Sequence, residues 1–142
     1  KPRARAFQLD DSRLPHQDGL ESAEVTVLKL YNAFLNTCAG FAHGLRTERA
    51  IQQEAFLLAI GLPLAFWIGA TGWERLALVL ALVAVLCVEF LNTAIEKLCD
   101  HVTPERHDTI KAIKDMGSAA CFCAQAGCGL IWLFAAWQRF WP

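Results

Sequence analysis

From Leu76 to Ile95 the chain runs for roughly twenty residues, almost all apolar, with a single charge, Glu89. At 1.5 Å per residue such a run crosses a hydrocarbon core of about 30 Å as a helix. The helical pattern continues beyond it, and Glu89, Asn92, Thr93, Glu96 and Asp100 fall in one narrow sector at about 100° per residue. A carboxylate at membrane depth costs about 2.5 kcal/mol or more unless it meets a partner, water or substrate. Glu89 is therefore a functional-site candidate by default.

Two further stretches carry no charge, Ala55 to Trp73 and Met116 to Gln138. Pro63 inside the first is tolerable in a membrane helix, and the short polar turn from Thr71 to Arg75 brings the next helix back antiparallel. Trp132, Phe134, Trp137, Phe140 and Trp141 gather towards the end of the last stretch as an interfacial belt does. The expected fold is all-α and integral to the membrane. Three transmembrane helices, at about 50–70, 74–98 and 116–138, follow an N-terminal amphipathic surface helix. Composition agrees: 142 residues, 55% hydrophobic and 19% charged, with a mean hydropathy of +0.32, above what a small soluble domain shows. A net charge of −1 offers no basic field for nucleic acid.

Basic residues set the expected orientation. Lys29, Arg46 and Arg49 precede the first span and Lys97, Arg106, Lys111 and Lys114 lie between the second and third, against Arg75 in the first turn and Arg139 at the end. The N-terminus and the second loop are thus expected in the cytoplasm. No cleavable signal is expected before the first span, because residues 1–24 are polar and contain Pro2 and Pro15. Residues 1–17 read as a polar, disordered extension, and 18–142 as the membrane domain. Asp18 and Glu21 fit a capping box. Leu28, Tyr31, Leu35, Cys38, Ala42 and Leu45 then recur at steps of three and four beside Lys29, Asn32, Asn36, His43 and Arg46, the pattern of a helix lying in the membrane interface. A helix packed on a soluble partner is the plainer alternative.

The six cysteines do not make a metal or disulfide framework. Cys87, Cys121, Cys123 and Cys128 sit in apolar helical runs where cysteine acts as a small hydrophobe, and Cys121 and Cys123 point opposite ways on a helix. Small residues crowd the first half of the last span, Gly117, Ser118, Ala119, Ala120 and Ala124 among them, which predicts a helix contact face. The charged groups that remain, Glu48 and Glu54 at the entry to the first span and Lys114 and Asp115 before the third, collect near the cytoplasmic boundary. Carboxylates there suit a hard divalent cation through oxygen ligands, and a lysine balances phosphate. Gly40 and Gly44 lack the Lys and Ser/Thr of a Walker loop, so a nucleotide site here is of another kind. Taken alone, Lys97 and Asp100 read as solvated charges.

The run Glu89-Phe90-Leu91-Asn92-Thr93-Ala94-Ile95-Glu96, then Asp100, His107 and Lys114-Asp115-Met116-Gly117-Ser118-Ala119-Ala120, resembles the signature of the prokaryotic diacylglycerol kinase family of small membrane lipid kinases. The likeness runs from about Lys29 to Phe140, and Glu48 with Gln53-Glu54 matches the segment before the family's first membrane helix. The resemblance implies an inner-membrane homotrimer, with sites shared between subunits, that transfers the ATP γ-phosphoryl to the primary hydroxyl of diacylglycerol. It makes Glu89 the general base and gives Glu48 and Glu96 a Mg2+ ion. ATP binding then falls to Lys29, Glu48, Asn92, Glu96, Glu105, His107, Lys114 and Asp115, and the lipid site to Glu54, Trp67, Arg75, Glu89, Ser118 and Trp132. The chain departs from the family pattern at Ile51, Gln52, His101 and Arg106, which touches the adenine contacts and leaves the base and metal groups intact. An undecaprenol kinase of the same family is the first alternative. A small ion-conducting oligomer is the second, since an intramembrane Glu also marks such paths; against it, nothing polar continues through the outer half of the spans.

Overall fold

The computed structural model describes residues 17–103, 105 and 107–141, with side chains from Val25 onward. The expectations for residues 1–16, and for the side chains of a capping box at Asp18 and Glu21, lie outside the described residues. Four helices follow one another, α1 (Gln17–Thr47), α2 (Arg49–Ile68), α3 (Gly72–Val102) and α4 (Asp108–Phe140), and the described residues include no strand. The all-α architecture read from the sequence is the one observed, and α2, α3 and α4 are each long and apolar enough to cross a membrane. With 31 and 33 residues, α3 and α4 reach about 46 and 50 Å, well beyond a hydrocarbon core of about 30 Å. Their polar ends, where the candidate residues lie, therefore extend past the apolar slab.

The chain divides into two units, residues 1–40 and 41–142. In the first, every described side chain of α1 is exposed. Val27, Leu30 and Phe34 are exposed together with Leu28, Tyr31 and Leu35, so the apolar surface is broader than the single stripe expected.

In the second unit α3 packs along both α2 and α4, while α2 and α4 meet more sparingly. One residue, Glu48, separates α1 from α2. Its extended backbone (φ −111°, ψ 116°) breaks the helix, and its side chain makes no capping bond to α2. Pro63 lies inside α2 without interrupting it. The return to α3 is tight: the Gly69 N–H donates to Ala65 O at 3.0 Å, and Arg75 Nε donates to Gly69 O at 2.9 Å. A Cβ on Gly69 would lie 2.7 Å from Arg75 Cγ and 2.9 Å from Ala65 O, so the turn requires glycine there. Thr71 and Glu74 cap α3 with a reciprocal capping box. Beneath this turn Ala65, Ile68 and Leu78 form the apolar core, with Trp132, Ala135 and Ala136 of α4 against it.

The small residues of α4 behave unevenly. Gly117 meets α3 closely, but Gly127 has nothing within 4 Å of a built Cβ, and Ser118, Ala119 and Ala120 are exposed. No residue of α4 is buried within the chain.

Candidate active site

The polar stripe of α3 grades from burial to exposure along the helix. Glu89 and Asn92 are each only 8% exposed, Glu96 is half-buried and Asp100 is exposed. Steps of three and four put them on one face, and burial of that face against α4 brings the first two indoors. Asn92 Nδ2 donates to Glu96 Oε1 at 3.1 Å. Its other amide atom, Oδ1, is buried and has no hydrogen-bond partner among the described residues, a state that costs about 1–3 kcal/mol when nothing else binds there. Gly117 of α4 faces that oxygen. Cys121, one turn further along α4, sets its thiol beside the Glu89 carboxylate.

Glu48 reaches α3 from the α1–α2 junction. Its Oε1 lies 2.7 Å from Lys97 Nζ and accepts from Thr47 Oγ1 at 2.7 Å. These two bonds, Lys97 first, hold its carboxyl below the ordinary 4.5. Lys97, the neighbour of Glu96, thus ties this carboxylate to the same end of α3. Lys114 of α4 pairs with Asp100 of α3.

Beyond these pairs a cleft of about 670 Å³ opens at the end of α3 and the start of α4, lined by Asp100, Thr103, Glu105, His107, Asp108, Ile110, Lys111, Lys114 and Asp115. His107 is the N-cap of α4, its Nδ1 accepting from the Thr109 N–H at 3.2 Å. The structure therefore brings Glu105, His107, Lys114 and Asp115 together around one opening. Lys29 belongs to the other unit and is exposed on α1.

The six residues expected at the lipid site do not form one cluster. Glu54 accepts from Gln125 Nε2 at 3.0 Å, joining α2 to α4, and Ser118 is exposed on α4. Arg75, by contrast, lies at the far turn with its guanidinium 5.9 Å from the Phe66 ring, about 21 Å along α3 from Glu89. Trp132 packs on the apolar core and donates to Leu78 O at 3.2 Å, and the exposed Trp67 stands against Phe140 with ring centroids 5.5 Å apart. Between these groups runs a small apolar groove of about 220 Å³ that includes Leu57, Leu64, Leu82 and Trp132.

Glu96 and the unsatisfied Asn92 Oδ1 are hard oxygen donors of the kind a divalent cation takes. Among the described residues no group of three or more His, Cys, Asp and Glu side chains is placed to hold an ion. Periodicity within one helix revealed the α3 stripe but not its partners. Lys97, Cys121 and Gln125 enter through contacts between helices and Lys111 by lining the cleft, while Lys97 and Asp100, exposed as expected of solvated charges, each also sit in an ion pair.

Comparison with known proteins bears on this arrangement. The family profile described as prokaryotic diacylglycerol kinase matches residues 35–136. The chain is 38% identical to the diacylglycerol kinase of Pseudomonas aeruginosa over 104 residues, 73% of this chain and 85% of that protein. It is 33% identical to the diacylglycerol kinase of Haemophilus influenzae over 103 residues, 72% of this chain and 87% of that one. It is also 30% identical to the undecaprenol kinase of Bacillus subtilis over 101 residues, 70% and 82% of the two chains.

Proposed function

The chain belongs to the prokaryotic diacylglycerol kinase family, and from that premise we propose that it transfers the γ-phosphoryl group of ATP to the primary hydroxyl of diacylglycerol, giving phosphatidic acid. The observation that carries this reading is a buried carboxylate, Glu89, one turn from the Asn92–Glu96 pair and below a charged cleft at the same end of α3 and α4. Such a site lets a lipid hydroxyl arrive from the hydrocarbon and a nucleotide from water.

Glu89 accepts the hydroxyl proton as the lipid oxygen forms its bond to the γ-phosphorus, and the bond to the β–γ bridging oxygen breaks to release ADP. Glu96 and Glu48 are the residues that would hold Mg2+, which when bound neutralises phosphate charge. Asn92 orients Glu96 through its Nδ2 donation. Lys114 meets the nucleotide phosphates and is held in place by Asp100. Asp115, Glu105 and His107 line the nucleotide side of the cleft. Glu54 and Ser118 take the lipid near the reacting group, and Trp67, Arg75 and Trp132 lie further along its acyl chains. The enzyme works as a homotrimer in the inner membrane with its N-terminus in the cytoplasm, and subunits share sites.

The likeness to an undecaprenol kinase supports a second acceptor, a polyprenol, served by the same phosphoryl-transfer groups. Purified protein in mixed micelles with ATP and magnesium, offered a short diacylglycerol and a polyprenol side by side with the products identified, tests both. Phosphatidic acid as the main product supports the first, polyprenyl phosphate replaces it with the second, and phosphorylation of neither lipid defeats the kinase reading. Single reporter cysteines in a cysteine-free background test orientation. Gly72 labels from outside and Thr109 only after permeabilisation, and the reverse pattern puts the cleft away from cytoplasmic ATP.

A further inference from the structure

We propose that Gly117 is a positioning residue: the space left by its missing side chain holds the Asn92 amide in the orientation that donates to Glu96. The consequence for turnover rests on the lipid-kinase reading above, whereas the consequence for Asn92 rests on geometry alone.

A Cβ built on Gly117 would lie 2.1 Å from Asn92 Oδ1 and 3.3 Å from Asn92 Cγ, far inside the separation at which non-bonded atoms attract. Along the rest of α4 the demand is absent, since Gly127 and Gly129 have nothing within 4 Å of a built Cβ. Helix propensity disfavours glycine at all three positions, so only at Gly117 does contact with a neighbouring helix account for it.

Asn92 has no easy way to yield. It is 8% exposed, and its Nδ2 is committed to Glu96 Oε1 at 3.1 Å. Turning the amide over would carry Nδ2 away from Glu96 and leave the crowding unchanged. Swinging the whole side chain breaks the same bond, whereas parting α3 from α4 leaves that bond intact and moves α4 away from the carboxylates of α3. A methyl group at position 117 is thus felt either in the Asn92–Glu96 bond or in the placement of α4 against Glu89 and Glu96. The seam also sets register: Asp115 lies two residues before Gly117 on α4, and Glu89 and Glu96 flank Asn92 by one turn on α3. One close approach between helices fixes the nucleotide side relative to both carboxylates.

The test is a double-mutant cycle of Gly117→Ala and Asn92→Ala, read by kinetics and by thermal unfolding in detergent. With Asn at 92, Gly117→Ala should lower kcat/KM for magnesium-ATP on the order of 10- to 100-fold, the effect of a misplacement of about 1 Å, and raise the magnesium requirement. With Ala at 92 there is room for the methyl, and the same substitution should change either quantity by less than about twofold. Equal losses in both backgrounds overturn the proposal and make Gly117 a plain packing residue. A parent inactive on every lipid acceptor defeats the kinase reading, yet the thermal cycle still decides this one: Gly117→Ala must lower Tm only when Asn92 is present. Should Gly117→Ala alone fail to fold, recovery in the double variant supports the clash, and failure of both overturns it.

Discussion

The two ends of the α2–α3–α4 unit solve opposite problems. At the Gly69–Arg75 turn Ala65 and Leu78 are completely buried, Thr71 and Glu74 close a reciprocal cap, Arg75 covers the carbonyl that ends α2, and Trp132 donates to Leu78 O. Its polar groups are spent on holding helices together. At the other end Glu89 is buried in mostly apolar surroundings and Asn92 keeps an unsatisfied oxygen. Chains break the rule of satisfied burial at sites of function and make up the stability elsewhere. The contrast supports the proposal of chemistry at one end and anchoring at the other.

The sharpest way to break that division is at Glu89. Glu89→Gln keeps the shape of the side chain and removes the proton acceptor, so turnover should fall by about 10²- to 10⁴-fold while nucleotide binding stays near that of the parent. Activity within a few-fold of the parent would mean that the buried carboxylate is structural.

Next in size are the two carboxylates proposed for the cation. Glu96→Gln and Glu48→Gln should each raise the magnesium concentration needed for half-maximal rate about tenfold or more. An unchanged magnesium titration at either position would return it to the anchoring class.

The anchoring end answers to a different readout. Leu78 is completely buried against Ala65 and Ile68. Leu78→Ala removes contacts that surrounding helices cannot refill, and should lower stability by about 2 kcal/mol or more while KM for magnesium-ATP stays within about twofold. A large KM change with little loss of stability would show that the two ends are coupled.

How much of this was legible in the chain depends on the kind of contact. The three spans and the Glu89–Asn92–Glu96 stripe follow from rules that act within one helix, namely length, hydropathy and a period of 3.6 residues. Glu48–Lys97, Asp100–Lys114, Glu54–Gln125 and Asn92–Gly117 depend on the register between helices, which no period within a helix encodes. Crowding of small residues predicted that the first half of α4 would make contact, but not that Gly117 would meet Asn92 closely while Ser118, Ala119 and Ala120 stay exposed.

The smallest expected effect concerns the ion pair that joins Glu48 to α3. The Lys97 ammonium, with Thr47, holds the Glu48 carboxyl below its ordinary 4.5. A carboxylate with a depressed pKa in the folded state adds stability that is fully present above its unfolded value and disappears as pH falls through the folded one. Lys97→Met should therefore lower Tm slightly between pH 6 and 8, where both states of Glu48 are ionised, and the difference from the parent should shrink as the pH falls below the ordinary 4.5 and through the depressed folded value. The pair is exposed to solvent, so salt should erase most of the difference even at neutral pH. Thermal unfolding of parent and variant from pH 8 to pH 3, at low and high salt, measures this. A Tm difference that stays constant from pH 8 to pH 3 would assign the effect to packing of the lysine stem and place Lys97 with the anchoring groups of the far turn.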